Sequence, residues 1–317
     1  MTNKWVRLDN AAKIFPSSAS KSNTHVFRIT CELHENVDSA LLQEALDKTI
    51  TEFDIFQYIM RRGLFWYYLE STNLRPIVRE EYKSPCAPVY DRGRKGLLYE
   101  ITYYNSRINC EIYHALTDGT GALHFMELLI TKYLSLAHSL TEPAVAYDAA
   151  SAQMGDDSFN KYSSPDRAKR KKHVSAYQLR GTRHAENRLS FISGSMPLDT
   201  ALTAAHTCGC TLTALLCGAM MNAIGTVMPV RLKHKPVVIA VPVNLRKHFP
   251  SMSARNFFTL VYIGQFRPGE AATCLRNGGA SRGRSHRADG RGKSRRRYQR
   301  EHKRRTQRVR AYNAASA

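Results

Sequence analysis

Residues 111–125 read EIYHALTDGTGALHF and place a histidine, an aspartate and a glycine where they could do acid–base chemistry. A neutral His114 can act as a general base near pH 7 if its ring is held in one orientation. Asp118, four residues on, could bond that ring directly, or it could pair with an arginine elsewhere and fix the loop. Gly119 would permit a positive φ or a close backbone approach at the turn. A base of this kind could take a proton from a hydroxyl or an amine as it attacks an acyl group.

Three other interpretations of the same residues stay open on spacing alone. His114 could be a strand-end histidine whose ring is satisfied by a backbone carbonyl. Asp118 could serve only as a turn residue and cap of the following helix. His114, Asp118 and His124 could bind a metal ion, although no tight ligand motif supports it.

The elements around the segment would position His114 between the end of a strand and the start of a helix. Leu97–Tyr104 and Arg107–His114 flank Asn105-Ser106, a pattern typical of a β-hairpin. After Gly121 the apolar positions follow helical spacing. His114 is therefore predicted to end a strand, with a helix starting a few residues later.

The rest of the body alternates strand and helix patterns. Residues 25–34 alternate apolar and polar side chains, which predicts a strand with one wet face, and Asp38 then caps a helix. Thr211 is predicted to cap a second long helix, 212–227, which is apolar on most sides and expected to be buried. The run PVVIAVPV (236–243) predicts a strand buried on both faces. Two sheet-and-helix units of α/β class, joined by a polar segment, account for these patterns.

The segment YHALTDGTGALHF resembles the HxxxDG signature of the superfamily that contains chloramphenicol acetyltransferase, alcohol acyltransferases and the condensation domains of nonribosomal peptide synthetases. CTLTALLCGAMMNAIG (210–225) is similar to a helix start of that family. VPVNLRKHFPSMSARNFF (241–258) and LDNAAKIFP (8–16) resemble stretches of bacterial alcohol acetyltransferase-like proteins. The resemblance covers roughly residues 1–263.

The resemblance implies a fold, a reaction and a role for each site residue. The fold would be two chloramphenicol acetyltransferase-like halves, face to face, with the active site in a channel between them. His114 would deprotonate an alcohol or amine acceptor, which attacks the thioester of an acyl-CoA or an acyl carrier protein. Asp118 would be structural and paired to an arginine, with Arg246 as the candidate, although Arg246 could equally be a solvated residue at a strand end. Gly119 would let the thioester arm approach the loop, and Asn256 would help to bridge the two halves. The family needs no metal and no cofactor beyond the thioester co-substrate.

The predicted domain organisation departs from the family after the second half begins. Residues 1–148 form the N-terminal half, 149–186 a polar linker or crossover, 187–265 an incomplete C-terminal half, and 266–317 an Arg-rich tail expected to be disordered. That tail carries 16 Lys and Arg against three Asp and Glu, a net charge of +13, whereas the other residues carry +8. We expect a C-terminally truncated acyltransferase whose tail is the product of a reading-frame change. The alternatives are an inactive homologue, or a protein that binds nucleic acid through this tail.

Composition also bears on location. The chain has no run of 18 apolar residues and no apolar segment near its N-terminus of the kind found in secretory signals, so neither a membrane span nor export is expected. Seven cysteines, an odd number scattered along the chain, favour a reducing compartment. The sequence therefore predicts a cytoplasmic protein.

Overall fold

The strand that ends beside His114 belongs to a four-stranded sheet. This computed structural model describes residues 4–20, 23–91, 93–141, 151–162, 175–181, 184, 189 and 191–266. The strands of that sheet are, in spatial order, β2 (Val26–Glu32), β7 (Arg107–Tyr113), β6 (Tyr99–Tyr104) and β5 (Arg79–Glu80). Strands β6 and β7 form the predicted hairpin around Asn105, whose φ of 49° lies in the left-handed region that a tight turn requires. On one face of the sheet Ile112 lies between Phe27 and Tyr99.

The elements of the part of the chain that the structure describes follow in this order. The strands are β1 Trp5–Arg7, β2 Val26–Glu32, β3 Tyr58–Arg62, β4 Tyr67–Ser71, β5 Arg79–Glu80, β6 Tyr99–Tyr104, β7 Arg107–Tyr113, β8 Val237–Asn244 and β9 Phe258–Phe266. The α-helices are α1 Ile14–Ser18, α2 Ser39–Glu52, α3 Gly119–Ala137, α4 Ser151–Met154, α5 Ser158–Tyr162, α6 Leu198–Thr207 and α7 Leu212–Val227. Short 3₁₀ turns cover Asp54–Phe56, Val230–Leu232 and Leu245–Lys247.

These elements fall into two compact units. The first contains the described residues within 1–163, 183–189 and 244–258, and the second contains those within 164–182, 190–243 and 259–317. The predicted domain boundaries stay a prediction, and the tail from residue 267 onward lies outside the described residues.

Helices α2 and α3 cover the core face of the large sheet in the first unit. Asp38 caps α2 as predicted, since its side chain accepts hydrogen bonds from the backbone N–H groups of Ala40 and Leu41. The core is aromatic at its centre, where Phe56 and Phe125 stack with ring centroids 3.9 Å apart. This packing fixes the strand and the helix on either side of His114.

A second sheet of the first unit has the order β1-β4-β3, and its hairpin joins β3 to β4 through residues 63–66. Leu69 of β4 is fully buried and packs in the same core as α2 and α3. Within the predicted linker, residues 151–162 form α4 and α5, and Met154 and Phe159 are buried. This stretch of the predicted linker therefore packs in the first unit, with Met154 in its core.

The second unit contains α6, α7 and most of β8 and β9, which pair as a two-stranded sheet. Thr211 caps α7 through a hydrogen bond to the backbone N–H of Ala214, as predicted. The expected burial is wrong, since Met221 is the buried residue of α7 and β8 has exposed positions on its length. Their apolar composition predicted that α7 and β8 are buried. The sheet has only two strands among the described residues, so few neighbouring side chains cover the faces of α7 and β8.

No single helix in the described ranges is both long and apolar enough to cross a membrane. Helices α6 and α7 pass that criterion of length and composition only when taken together, and they are bent by 83° at the break between them.

Candidate active site

His114 follows the last residue of β7 and is held there by its backbone. Its N–H donates to the carbonyl of His25 at 2.8 Å, which extends the pairing of β7 with the start of β2. The ring stacks on Phe15, with centroids 4.5 Å apart, and is flanked by Phe27 at 4.9 Å and Phe258 at 5.5 Å. The imidazole thus sits against three aromatic rings.

Asn256 orients the His114 ring. Its Oδ1 lies 3.1 Å from Nδ1 of His114, while its Nδ2 donates to the backbone carbonyl of His114 at 3.1 Å and faces Asp9 Oδ2 at 3.4 Å. The amide nitrogen therefore faces two acceptors, so the amide oxygen must accept from the ring. This arrangement puts the proton on Nδ1 and leaves the lone pair of Nε2 as the basic site.

Burial lowers the pKa of His114 below its usual value of 6.5, because a charged imidazolium is poorly solvated beside aromatic rings. The hydrogen bond to Asn256 and the charge of Asp118 act in the opposite direction without reversing the shift. The ring is therefore neutral at pH 7, the state that a general base requires.

Asp118 caps α3 and forms an ion pair at the same time. Its Oδ1 accepts from the backbone N–H groups of Thr120 and Gly121, both at 3.1 Å. Its Oδ2 accepts from Nη1 of Arg246 at 2.7 Å and from the backbone N–H of Phe257 at 2.8 Å. With both oxygens committed in this way, the carboxylate fixes the loop and the start of α3. Asp118 is therefore both the cap of α3 and the partner of an arginine, so capping is not its only role.

Arg246 joins the loop after β8 to this carboxylate. Besides Asp118, its guanidinium donates to the carbonyl of Ser253 at 3.0 and 2.7 Å and to the carbonyl of Arg255 at 2.5 Å. The side chain is 11% exposed. Of the two interpretations of Arg246, the ion-pair partner of Asp118 is therefore correct, and the solvated strand-end residue is not.

The glycine that requires close packing is Gly121, not Gly119. The φ of Gly119 lies outside the left-handed region, and a Cβ placed on it would meet open space. A Cβ on Gly121 would collide with the carbonyl oxygen of Ala254 and with Oγ1 of Thr117. The expectation of a positive φ or a tight approach at Gly119 is therefore wrong, because the close contact falls two residues later, at Gly121, beside the bond from Thr117 to Ala254.

Sequence reasoning missed a buried carboxylate behind Asn256. Asp9 is 1% exposed, accepts from the backbone N–H of Ala12 at 2.8 Å, and lies 3.8 Å from Nη2 of Arg255. Burial raises the pKa of Asp9 to about 6, and the charge of Arg255 opposes the rise. Asp9 lies in the stretch LDNAAKIFP, so the resemblance contained a signal that could have identified it.

His114, Asp118 and His124, the metal ligands considered from the sequence, do not form a ligand set among the described residues. Both oxygens of Asp118 are bonded to the groups above, and Nδ1 of His124 lies 3.9 Å from a carboxylate oxygen of Glu127. Within the ranges that the structure describes, no group of three His, Cys, Asp or Glu side chains could hold a metal ion.

A cavity of about 1030 Å³ lies elsewhere in the first unit, beside β5 and the start of β6. Its lining includes Arg79, Tyr90, Arg94 and Lys95. None of the residues that contact the His114 ring lines it, so this cavity is not part of the candidate site.

No family model and no curated protein matches the sequence, but the structure is similar to several solved ones. The first condensation domain of the calcium-dependent antibiotic synthetase, solved with a substrate analogue, has a TM-score of 0.54 and 15% identity, covering 87% of this chain and 73% of that one. The fold is that of the condensation-domain and chloramphenicol acetyltransferase-like acyltransferases.

Two further structures have this chloramphenicol acetyltransferase-like fold. The epimerization domain from the third module of tyrocidine synthetase B has a TM-score of 0.57 and 13% identity, covering 88% of this chain and 71% of that one. TRI101 of F. graminearum, complexed with Coenzyme A and deoxynivalenol, has a TM-score of 0.55 and 11% identity, covering 86% and 74%. The α/β class and the fold expected from the HxxxDG segment are confirmed, whereas identities this low show the fold alone.

On this chloramphenicol acetyltransferase-like fold, four sequence-predicted residues come together in the first unit. His114 and Asn256 share one hydrogen-bonded pair, and Asp118 and Arg246 share another. Gly119 begins α3 directly after Asp118. The arrangement offers an oriented neutral imidazole next to a rigid loop, which is suited to taking a proton from a bound hydroxyl or amine.

Proposed function

We propose that this chain is an acyltransferase that moves an acyl group from a thioester to an alcohol or amine, with His114 as the general base. One observation carries the proposal. The ring of His114 is fixed through Nδ1 by Asn256, it is kept neutral by burial, and its Nε2 is left as the proton acceptor. A strand-end histidine needs none of these features for packing alone.

The proposed step balances without a metal or a resident cofactor. Nε2 of His114 takes the proton of the acceptor hydroxyl or amine as its oxygen or nitrogen attacks the thioester carbonyl carbon. A new C–O or C–N bond forms, and the C–S bond breaks. The leaving thiolate then takes this proton from the imidazolium, so His114 returns to its neutral state.

The other site residues would support this step without touching the reacting atoms. Asn256 keeps Nε2 unprotonated and correctly aimed. The pair of Asp118 and Arg246 fixes the turn between β7 and α3. The open space at Gly119 leaves room for the thioester arm beside the loop.

The substrate class is proposed from the fold neighbours. TRI101 was solved with Coenzyme A and deoxynivalenol, and the condensation domain was solved with a substrate analogue. We therefore propose acyl-CoA or an acyl carrier protein as the donor. The free cysteines of the described residues favour a reducing compartment, and we propose the cytoplasm as the place of action.

The test is an acyl-transfer assay with acetyl-CoA and a panel of alcohols and amines, following release of the free thiol. His114→Ala should reduce turnover by about 100- to 10,000-fold. His34→Ala is the matched control, because His34 also follows a strand of the same sheet but is exposed. Equal turnover of His114→Ala and the parent would remove His114 as the base. No turnover in the parent, with either CoA or carrier thioesters, would favour the inactive homologue.

A second candidate function rests on the composition of residues 266–317. Their net charge of +13 would favour binding of RNA or DNA through phosphate contacts. The test compares the full chain with one that lacks residues 267–317 in a binding assay with labelled RNA and DNA at several salt concentrations. Binding that is absent, or unchanged by the deletion, would exclude this candidate.

A further inference from the structure

The hairpin between β3 and β4 carries an apolar tip. The backbone N–H of Gly63 donates to the carbonyl of Trp66 at 2.7 Å, which closes a turn over residues 63–66. Three consecutive large apolar side chains project from this turn, with exposed fractions of 82% for Leu64, 84% for Phe65 and 59% for Trp66. Hairpin turns ordinarily carry small or polar residues, and a contiguous apolar group on a surface usually marks an interaction site.

The tip is not needed for the core of the first unit. Met60 and Leu69 pair in the hairpin and bury their side chains, and they anchor it before the chain reaches the tip. Within the turn, the indole of Trp66 lies against Gly63. The tip therefore presents its apolar side chains outward from a well-anchored hairpin.

Basic residues surround the tip on the adjoining strands. The register places Arg61 and Arg7 on either side of Tyr68, and Arg62 stands one residue before Gly63. Arg61 is paired with Glu70 at 3.0 Å. Arg7 and Arg62 are exposed and have no ion pair among the described residues, so their charges are available to an anionic partner.

Aromatic rings continue the surface away from the tip. Trp5 on β1 is 59% exposed and packs edge-on against Tyr68, with ring centroids 6.3 Å apart. Tryptophan and tyrosine are favoured at the boundary between lipid headgroups and acyl chains, since one part of each ring system is apolar and another can hydrogen-bond. Arginines in the same region attract the phosphates of anionic lipids.

We propose that this hairpin docks the protein on an anionic lipid surface, with Leu64, Phe65 and Trp66 inserted at the headgroup boundary and Arg7 and Arg62 against lipid phosphates. The exposure of these three side chains decides between partners, because a projecting apolar tip can insert into a lipid interface. A nucleic acid would contact the arginines but would leave Leu64 and Phe65 in water. The proposal is independent of acyl transfer.

The experiment uses Trp66 as its own reporter. The chain has two tryptophans, so Trp5→Phe leaves Trp66 as the single indole. With vesicles of phosphatidylcholine and phosphatidylserine, the emission of Trp66 should shift to the blue, and lipids brominated in the upper acyl chain should quench it. With phosphatidylcholine alone the shift should be much weaker. Sedimentation of the same vesicles measures the affinity.

Matched variants separate the contribution of the tip to vesicle binding from that of another exposed apolar group and of the basic residues 267–317. Replacing Leu64, Phe65 and Trp66 together by Ser should weaken vesicle binding by about tenfold or more. The control replaces Phe191, Ile192 and Met196, which are comparably exposed, by Ser and should bind as the parent does. Both variants keep residues 267–317, so any attraction of that basic segment to the vesicles is common to them.

Three outcomes would overturn the proposal. The first is vesicle binding without quenching of Trp66, which would assign the attraction to charge elsewhere. The second is an equal loss in the control variant. The third is a blue-shifted, concentration-dependent Trp66 emission in the absence of lipid, which would show that a second copy of the chain covers the tip.

Discussion

Asp118 and Arg246 stand 128 positions apart in the sequence and are joined through Oδ2 and Nη1 at 2.7 Å. The carboxylate caps α3, and the guanidinium also holds two carbonyls of the loop 253–255. One ion pair therefore fixes two chain segments that meet beside the candidate base. Its partners are both largely buried.

Removal of Arg246 should destabilise the first unit. Arg246→Ala leaves a buried carboxylate with no counter-ion and two carbonyls without a donor, and the expected loss is about 3–5 kcal/mol. Urea denaturation measures it. Arg75→Ala, which breaks the solvent-exposed pair with Asp47, is the control and should change stability little. A loss in Arg246→Ala no greater than in the control would show that the buried pair does not hold the loop.

The pH dependence of turnover should report the environment of His114. Because burial lowers the pKa of His114, the acid limb of the rate profile should lie below pH 6.5, the usual histidine value. Phe15→Ala removes the ring that stacks on the imidazole and lets water approach. The limb should then move upward toward the usual value, as measured by kcat across pH. A limb that stays in place would show that Phe15 does not set the pKa of the base.

Asn256 should act on kcat more than on KM if, as proposed, its role is to orient the ring of His114. Asn256→Ala frees Nδ1 and lets the other tautomer form, so kcat should fall by about 100-fold. Asn256→Asp restores an acceptor for Nδ1–H. It should recover part of the rate and raise the pKa of His114, which moves the acid limb upward. If Asn256→Ala and Asn256→Asp behave alike in rate and pH profile, Asn256 has a packing role only.

Gly119 and Gly121 should differ in their tolerance of a methyl group. Gly121→Ala forces a Cβ against the carbonyl of Ala254 and the hydroxyl of Thr117, with an expected cost of about 1–3 kcal/mol. Gly119→Ala meets open space and removes the backbone freedom of glycine from a helix, so it should leave stability equal or slightly higher. Thermal unfolding of the pair gives the comparison, and the reverse order would contradict the packing described above.

Asp9 should couple stability to pH. Its pKa is raised from 3.8 to about 6 in the folded chain, so the folded state binds the proton more tightly than the unfolded state. The contribution of Asp9 to the free energy of unfolding therefore grows as pH falls from about 6 toward 3.8, by up to about 3 kcal/mol.

Asp9→Asn cannot take up this proton, so the variant lacks this contribution to the pH dependence. Urea titrations at about pH 7 and about pH 4 should show parent stability rising relative to the variant at the lower pH. A difference independent of pH would mean that the carboxyl of Asp9 has an ordinary pKa.

The local structure was predictable from the sequence where a single segment determines it. The hairpin that ends at His114, the caps Asp38 and Thr211, and the presence of a helix shortly after Asp118 follow from turn chemistry and periodicity. The pairing of Asp118 with Arg246 was predictable only through the family resemblance, since nothing local connects two residues so far apart.

Contacts between distant segments were the part that sequence reasoning could not supply. The bond from Asn256 to His114, and Asp9 behind it, depend on how a loop folds back over the strand end. Burial of α7 was predicted from its apolar composition, but composition does not specify which neighbours cover a helix. The choice between Gly119 and Gly121 likewise depends on the position of Ala254, which is far away in sequence.

The first unit is completed by residues 244–258, although its strands and helices are encoded before residue 163. During synthesis the ribosome makes the strand and the helix that flank His114 long before it makes Arg246 and Asn256. A nascent chain that has not yet reached these residues lacks the counter-ion of Asp118 and the acceptor for His114 Nδ1. His114 would acquire its fixed tautomer only late in translation, so a nascent chain would gain its packed strands before the ring of His114 was oriented.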